Sequence, residues 1–282
     1  MQQPSQWSIG IYRGSSPLDM QPSAPTPVVT TDDVTDVSAR LVADPFLISV
    51  DERWFMFFEI VDRDAGRGKI GYATSIDTHF WHYRGIVLEE PFHLSYPHVF
   101  KANGEIFMTP ETASAGAIRL YRADDFPTSW RLVGQLVEQP LVDPTPFQTE
   151  DGWWMFGCRP RKNDRLTLYY ADRLLGPWHP HPANPLTDGC LSSSRPAGRV
   201  ISWNGRRCRF AQQCEPYYGV KVRGFSIETI DRTTFAEREF PEPVLQPGTS
   251  DWSQDGMHHL DLHPHADGWI AAVDGFRFLP SA

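Results

Sequence analysis

The sequence has few of the features that mark membrane proteins or nucleic-acid-binding proteins. It contains no apolar run approaching the roughly eighteen residues that a membrane-spanning helix needs. Lysine and arginine total 26 against 35 aspartate and glutamate residues, and no basic cluster is interleaved with aromatic residues. This acidic balance argues against a nucleic-acid partner. The amino terminus has neither the basic nor the apolar region of a secretory signal, so we expect a cytoplasmic protein without a membrane span.

Cysteine is scarce and is not arranged for metal binding. The four cysteines are Cys158, Cys190, Cys208 and Cys214, and none belongs to a Cys-x-x-Cys pair. On one extended strand Cys208 and Cys214 would lie about 20 Å apart, which is too far for a disulfide. We therefore expect four reduced thiols, no metal site and no cofactor.

Long uninterrupted helical segments are also lacking, because 25 prolines and 21 glycines punctuate the chain. Short aromatic or β-branched runs are abundant instead, and several follow a turn-forming or charged pair. The runs 54–58 and 105–108 follow Asp51-Glu52 and Asn103-Gly104 in this way. With 40% hydrophobic and 13% aromatic residues, the chain has enough apolar side chains for a folded core built from such hairpins.

The hairpins recur in a larger unit. The positions that begin each unit are Asp44, Ser95, Asp143, Arg195 and His258, at steps of 48 to 63 residues. Four short strands with their turns fill about that length in a propeller blade. The sequence therefore predicts an all-β fold, a five-bladed β-propeller with four-stranded antiparallel blades around a central channel, as a single domain over 1–282. The expected blades are 40–90, 91–139, 140–188, 189–247 and 248–282, and an N-terminal strand at 7–12 completes the last one.

Several strings, in order and at blade spacing, resemble a known family. They are Met56-Phe57-Phe58-Glu59, Leu94-Ser95-Tyr96-Pro97, Met108-Thr109-Pro110-Glu111, Val142-Asp143-Pro144, Ser194-Arg195-Pro196-Ala197-Gly198 and Arg209-Phe210-Ala211-Gln212-Gln213-Cys214. These strings resemble the amino-terminal propeller of plant glucosamine inositolphosphorylceramide transferases and of bacterial relatives. The known transferase chemistry of the plant proteins belongs to a separate domain. More broadly, the repeat resembles the arabinanase–levansucrase–invertase superfamily, which includes glycoside hydrolase families 32, 43, 68, 117 and 130.

The resemblance to the superfamily hydrolases implies three carboxyl groups at the narrow end of the channel. Glycoside cleavage needs one protonated carboxyl group and one ionised carboxylate on opposite faces of the bond. Asp44 matches the first-blade base or nucleophile, and Asp143 matches the third-blade carboxylate that holds the sugar. For both, the competing interpretation is that Asp-Pro only starts a strand. The fourth-blade glutamate is replaced by Arg195, which cannot donate a proton near neutral pH and is expected to bind an anionic group.

A substitute acid must therefore come from elsewhere if the chain is a hydrolase. We rank Glu111 first, because a glutamate at a strand end after proline has no evident packing role. A solvated or arginine-paired Glu111 is the competing interpretation. The candidates for substrate binding are Glu59, Ser95, His98, Arg195, Gln213, Glu215, Tyr218, His258 and His259. Among them a histidine acid, which family 117 uses, is a further option.

Two classes of function follow. The first is a carbohydrate-active enzyme that acts on a glycosidic bond, for example of a furanoside, with a carbohydrate or sugar-phosphate substrate. A glycosyltransferase of the same fold is an alternative, since an activated donor needs a base but no strong acid. The second class is a non-catalytic glycan-binding propeller, or an accessory propeller beside a glycosyltransferase partner. Convergence of Asp44 and a second carboxyl group in one pocket favours the first class.

Overall fold

The computed structural model describes residues 3–266 and 268–280, and within this part of the chain the regular structure is β-sheet apart from three short 3₁₀ helices. These helices are Thr31–Asp33, Ala113–Ala115 and Asp251–Ser253. The strands form five antiparallel sheets arranged as the blades of a propeller, which confirms the predicted fold class. No helix among the described residues is long and apolar enough to cross a membrane. Positions 281 and 282, at the end of the expected fifth blade, lie outside the described residues.

The strands follow the chain blade by blade, except at the amino terminus. Strands β1 (Ser5–Gly14) and β2 (Met20–Pro22) come first but belong to the last blade. Blade one contains β3 (Ala39–Val50), β4 (Arg53–Asp62), β5 (Arg67–Ser75) and β6 (His82–Leu88). Blade two contains β7 (Ser95–Ala102), β8 (Glu105–Glu111), β9 (Ile118–Asp125) and β10 (Ser129–Val137).

The last three blades are less regular. Blade three contains β11 (Val142–Thr149), β12 (Gly152–Cys158) and β13 (Arg165–Ala171), with β14 (His179–Pro180) and β15 (Thr187–Asp188) both paired to β13. Blade four contains β16 (Arg195–Pro196) and β17 (Ile201–Trp203), both paired to β18 (Arg206–Gln213), then β19 (Lys221–Ile230) and β20 (Phe235–Glu239). Blade five contains β21 (Leu260–His265) and β22 (Gly268–Phe278), which are followed in the sheet by β1 and β2.

The core lies between the blades. In β4 every residue from Phe55 to Asp62 is buried, because a blade packs against a neighbour on each face and both faces must be covered. One hydrophobic cluster contains Phe100 of blade two and Trp153 of blade three, whose rings are 5.7 Å apart. This packing explains why the strands are rich in aromatic residues on both faces.

The innermost strands of the first three blades carry a bulge at the same place. Asp44, Tyr96 and Asp143 each precede a proline and adopt left-handed backbone angles, with φ of 53°, 46° and 52°. The strand register shifts at each of these positions. Proline cannot donate to the ladder, so it sits where pairing is interrupted. The residue of blade two equivalent to Asp44 is therefore Tyr96, and the sequence register that used Ser95 was wrong by one residue.

The ring closes through the amino-terminal strand. β1 pairs antiparallel with β22 along its whole length, from Ser5 opposite Phe278 to Gly14 opposite Trp269. The first and last parts of the described chain are thereby joined in one sheet, and the inner edge of β22 pairs with β21. Closure removes the long exposed sheet edge that the last blade would otherwise present.

Two side chains connect the inner strands of different blades. The hydroxyl of Tyr96 in blade two lies 2.9 Å from Thr145 Oγ1 in blade three, accepts from Gly198 N–H of blade four at 2.7 Å and lies 3.1 Å from the Gly198 carbonyl oxygen. From blade four, Arg199 donates to Asp261 of blade five and to the carbonyl oxygens of Leu47 and Val99. We call Tyr96 and Arg199, with the Phe46 ring between the inner strands, the channel plug.

Candidate active site

Four of the residues singled out in the sequence come together in two pairs beside the plug. Asp143 and Arg195 form an ion pair, with Nε 2.5 Å from Oδ2. His258 Nε2 lies 3.7 Å from Asp44 Oδ1. The carboxylate of Asp143 is close enough to Asp44 that its charge raises the pKa of Asp44. Residues about fifty positions apart meet here because the inner strands of a propeller converge on its axis.

Asp44 is held by its backbone and by one carboxylate oxygen. Its amide N–H donates to Asp274 at 2.9 Å, and its Oδ2 accepts from the Tyr96 amide at 3.2 Å. Its Oδ1 has no hydrogen-bond partner among residues 3–266 and 268–280. Burial raises the pKa of Asp44 well above its usual range, and the nearby acidic groups add to that, while His258 opposes it. A carboxylate destabilised in this way is a stronger proton acceptor once ionised.

Asp143 is fully buried, and both of its carboxylate oxygens accept hydrogen bonds. Its two oxygens accept from Nε and Nη2 of Arg195, and Oδ2 also accepts from Gln212 at 3.0 Å. The remaining guanidinium nitrogen of Arg195 donates to Asn163, and the Tyr218 ring lies 5.0 Å from the guanidinium carbon. Protein groups thus occupy the donor positions of the Arg195 guanidinium. Its main partner is Asp143, so the guanidinium is not a free anion-binding group.

His258 lies between two aromatic rings and contacts a carboxylate. The ring centroids of Trp7 and Tyr218 are 4.6 and 5.2 Å from that of the imidazole. Its Nδ1 is 2.7 Å from Oδ1 of Asp274. Burial alone would lower the pKa of His258, but the charges of Asp274 and Asp44 raise it above the usual value. A cationic imidazole beside Asp44 can donate through Nε2.

The two strand-end glutamates occupy equivalent positions of blades one and two, opposite Ala43 and Ser95. Glu59 is 3.2 Å from Nε2 of His93, whose ring is the most accessible part of this group at 39% exposure. Glu111 accepts from the Ala113 amide at 2.7 Å and from the Ser95 hydroxyl at 3.2 Å. Burial raises the pKa of Glu111, and the charge of Asp143 raises it further. Glu111 is thus a buried carboxyl group near the acidic pair, with two donors directed at it.

The remaining predicted residues lie beside the plug or outside the buried group. His98 belongs with the plug, because its ring stacks on Phe46 at 4.9 Å, and burial lowers its pKa well below the usual value. His259 packs against Phe46 and lies 3.8 Å from Asp44 Oδ1 through Nδ1. Burial lowers its pKa to about 4. Gln213 donates to the carbonyl of Glu215, whose side chain is exposed, so these two stand outside the buried group.

Sequence analysis missed two residues of this group, Gln212 and Asp274. Both occupy the strand position that Glu59 and Glu111 occupy in their blades, and blade three has Cys158 there. The signal was available in the sequence, since each of these residues follows its hairpin turn at the same distance.

One cluster in the site has the residue types of a metal centre. Asp44, His258 and Asp274 each present a ligand atom, and these atoms lie within 4.8 Å of one another. However, Asp274 already accepts four N–H bonds, from the amides of Asp44, His258 and His259 and from the His258 ring. Three of these bonds end on Oδ1 and one on Oδ2, so the carboxylate of Asp274 is the centre of a hydrogen-bonded network.

A protein-family comparison matches nearly the whole chain. Residues 2–276 match the family described as glucosamine inositolphosphorylceramide transferase 1, N-terminal. Glucosamine inositolphosphorylceramide transferase 1 of Arabidopsis thaliana is 34% identical over 297 residues. That alignment covers 96% of this chain but 39% of the plant protein, so the chain spans about two fifths of the length of this curated relative.

The fold is shared with enzymes that act on carbohydrates. A glycosyl hydrolase from Bacteroides ovatus superposes with a TM-score of 0.66 at 12% identity, covering 93% of this chain and 94% of the other. An exo-β-1,3-galactanase from Clostridium thermocellum gives 0.64 at 13% identity, covering 84% and 59%. At such identities the likeness establishes the five-bladed glycoside-hydrolase-like architecture and leaves function to the site itself.

Proposed function

The chain belongs to the glucosamine inositolphosphorylceramide transferase 1, N-terminal family. We propose that it is a carbohydrate-active propeller that itself transfers a glycosyl group from an activated donor to a hydroxyl acceptor, an activity distinct from that of the separate transferase domain of the plant relatives. The names of the plant relatives suggest an amino sugar as the group transferred and an inositol-containing glycolipid as the acceptor. The buried acidic group formed by Glu59, Glu111 and Asp44 suits an amino group, because opposite charges attract more strongly where they are removed from water.

The observation that carries this proposal is the state of Asp44. Its Oδ1 is buried, has no partner in the described part of the chain and faces His258 Nε2. A carboxylate used only for structure would have both oxygens satisfied, as those of Asp143 are. We assign Asp44 as the base, which takes the proton from the acceptor hydroxyl. The acceptor oxygen then bonds to the anomeric carbon, and the bond to the leaving group breaks with its electron pair.

A transferase fits this site better than a hydrolase because of the fourth-blade position. Arg195 replaces the expected acid there and is bound to Asp143. An activated leaving group such as a phosphate departs as an anion and needs no proton from an acid. Hydrolysis would instead require Glu111 or His258 to donate the proton. Glu111 has the raised pKa of such an acid, but its carboxyl group is already bound by the Ala113 amide and the Ser95 hydroxyl.

A non-catalytic glycan-binding propeller is the second candidate. It is favoured by the saturation of Asp143 and by the aromatic surface that Tyr218 presents beside Arg195. In that case the carboxylates and rings would bind sugar hydroxyls and ring faces without chemistry, and a separate glycosyltransferase would act on the bound glycan.

Replacing Asp44 tests the proposal. We expect Asp44→Asn to lower turnover of activated glycosyl donors by about 10²–10⁴, with sugar binding nearly unchanged, because the amide keeps the shape but cannot take a proton. The matched control is Asp62→Asn, which removes another buried carboxylate of blade one, one that binds Lys69. Turnover is followed by product analysis with activated amino-sugar donors, and binding by saturation-transfer NMR. Equal turnover of Asp44→Asn and the wild type contradicts the assignment, and binding without turnover in the wild type supports the second candidate.

A further inference from the structure

The carboxylate of Asp274 joins the two blades that close the ring at the site. Its Oδ2 accepts from the Asp44 amide at 2.9 Å. Its Oδ1 accepts from the amides of His258 and His259 and from the His258 ring. We propose that Asp274 is a positioning residue, which fixes the backbone turn that carries Asp44 and the orientation of the His258 ring toward Asp44.

The backbone at Asp44 needs such support. Asp44 is not glycine, and its φ of 53° lies in the left-handed region, which is unfavourable for a residue with a Cβ. Pro45 follows directly and removes one donor from the strand. The Asp44 amide donates to Asp274, and this bond holds the turn from the neighbouring blade. The side-chain direction of Asp44 therefore depends on a residue that substrate need not touch.

Asp274 also selects which nitrogen of His258 carries its proton. The 2.7 Å contact from Nδ1 to a carboxylate requires a proton on Nδ1. Nε2 is then left facing Asp44, with the Trp7 and Tyr218 rings on either side of the imidazole. The ring cannot turn over without losing the carboxylate contact.

The groups that face His258 come from several blades. The charged or titratable ones are Asp274, Asp44, Arg195, Tyr218 and His259. Burial lowers the pKa of His258, the two carboxylates raise it, and Arg195 opposes them. Among these charged groups, Asp274 changes the pKa of His258 the most, and it raises it. It therefore favours a cationic His258, which in turn favours ionised Asp44. The catalytic meaning of this pairing rests on the proposed function, whereas the pairing itself can be measured without substrate.

The test is nitrogen-15 NMR of the full chain labelled in histidine. The chain has ten histidines, and the missing signal in His258→Gln assigns the one of interest. In the wild type we expect long-range proton–nitrogen couplings of an Nδ1-protonated ring and a pKa above the ordinary value of about 6.5. A wild-type His258 protonated on Nε2 alone, or with a lowered pKa, overturns the proposal whether or not any variant folds.

The variant Asp274→Asn gives the second measurement. We expect it to lower the His258 pKa by about 1–3 units, the usual effect of losing one adjacent carboxylate. Asp261→Asn is the matched control, because Asp261 is a buried aspartate of the same blade that contacts His263 and Arg199 instead. An unchanged His258 pKa in Asp274→Asn, or an equal shift in Asp261→Asn, overturns the proposal. Absence of glycosyl transfer by the wild type would contradict the proposed function and leave these spectra unaffected.

Discussion

At the scale of single residues, the site is built from carboxyl groups that differ sharply in their surroundings. Asp44 has one oxygen without a partner in the described residues, whereas Asp143 and Asp274 have every oxygen bonded. Burial raises the pKa of Asp44, and the charge of His258 lowers that of Asp274 against burial. Two acids with pKa values moved in opposite directions are typical of a site in which one is reactive and the other structural.

The raised pKa of Asp44 predicts that its ionised carboxylate lowers the stability of the folded chain. Its folded pKa lies above its unfolded pKa, so ionisation favours the unfolded chain as pH rises above about 4. We expect Asp44→Asn to raise the free energy of unfolding at pH 7 by about 0.5–2 kcal/mol, a gain typical at strained functional positions. The gain should vanish below about pH 4, where both forms are neutral. Urea unfolding at pH 7 and pH 3.5 measures it, and lower stability of the variant at pH 7 would contradict the pKa direction.

The buried ion pair of Asp143 and Arg195 should stabilise the folded chain, in contrast to Asp44. Arg195→Ala leaves the fully buried Asp143 carboxylate without its bidentate partner, so we expect a loss of about 3–5 kcal/mol in the free energy of unfolding. Arg223→Ala, in the same blade, removes a partner from the half-exposed Glu239 and should cost about 0–1 kcal/mol. Urea unfolding of both variants compares them. Similar losses would mean that Asp143 does not depend on Arg195.

At the scale of strands and turns, the inner strand of blade four departs most from the repeat. It is split into β16 and β17, and Gly198 between them has a φ of 118°. A Cβ there would lie 2.0 Å from the carbonyl oxygen of Leu260, and the Gly198 amide bonds the Tyr96 hydroxyl. Blade four therefore approaches blade five so closely that only glycine fits.

Gly198→Ala and Gly205→Ala separate this close approach from ordinary turn strain. Gly205 also has positive φ, at 73°, but a Cβ there meets nothing within 4 Å. We expect Gly205→Ala to cost about 1 kcal/mol, from backbone conformation alone. Gly198→Ala should cost clearly more, because the Leu260 backbone must also move. The free energies of unfolding in urea give both values, and equal losses would show that the approach to Leu260 is easily relaxed.

The hairpins and the register explain how far the sequence could predict the fold and the site. Turn pairs such as Asn103-Gly104 and aromatic runs are local signals, so the blades could be counted without a structure. The register at Ser95 was wrong by one residue, because the bulge is set by the residue before proline, Tyr96. The pairing of Arg195 with Asp143 joins two blades and has no local signal at all.

At the scale of the whole molecule, the ring closes through two contacts that reinforce each other. β1 pairs along β22, and Asp274 of β22 bonds the amide of Asp44 in blade one. The strand that completes the last blade therefore adjoins the strand that holds the site. The β1–β22 ladder lies within the last blade, and the bond from Asp44 to Asp274 joins that blade to blade one, so both contacts lie where the ring closes. The plug adds contacts among all five blades through Tyr96 and Arg199.

This crowded axis predicts how the stability of the molecule depends on pH. Burial lowers the pKa of His259 to about 4, so the folded chain excludes a proton that the unfolded chain binds below about 6.5. The contribution of His259 is present above pH 6.5 and is lost as pH falls to 4, by about 3 kcal/mol. The lowered pKa of His98 acts in the same direction, whereas the raised pKa values of His258 and Asp44 oppose it. We expect His259→Gln to flatten the fall in unfolding free energy between pH 6.5 and 4, and the exposed His82→Gln to leave it unchanged. Urea unfolding at pH 7, 6, 5 and 4 tests this, and parallel curves for wild type and His259→Gln would show that the channel admits a charged His259.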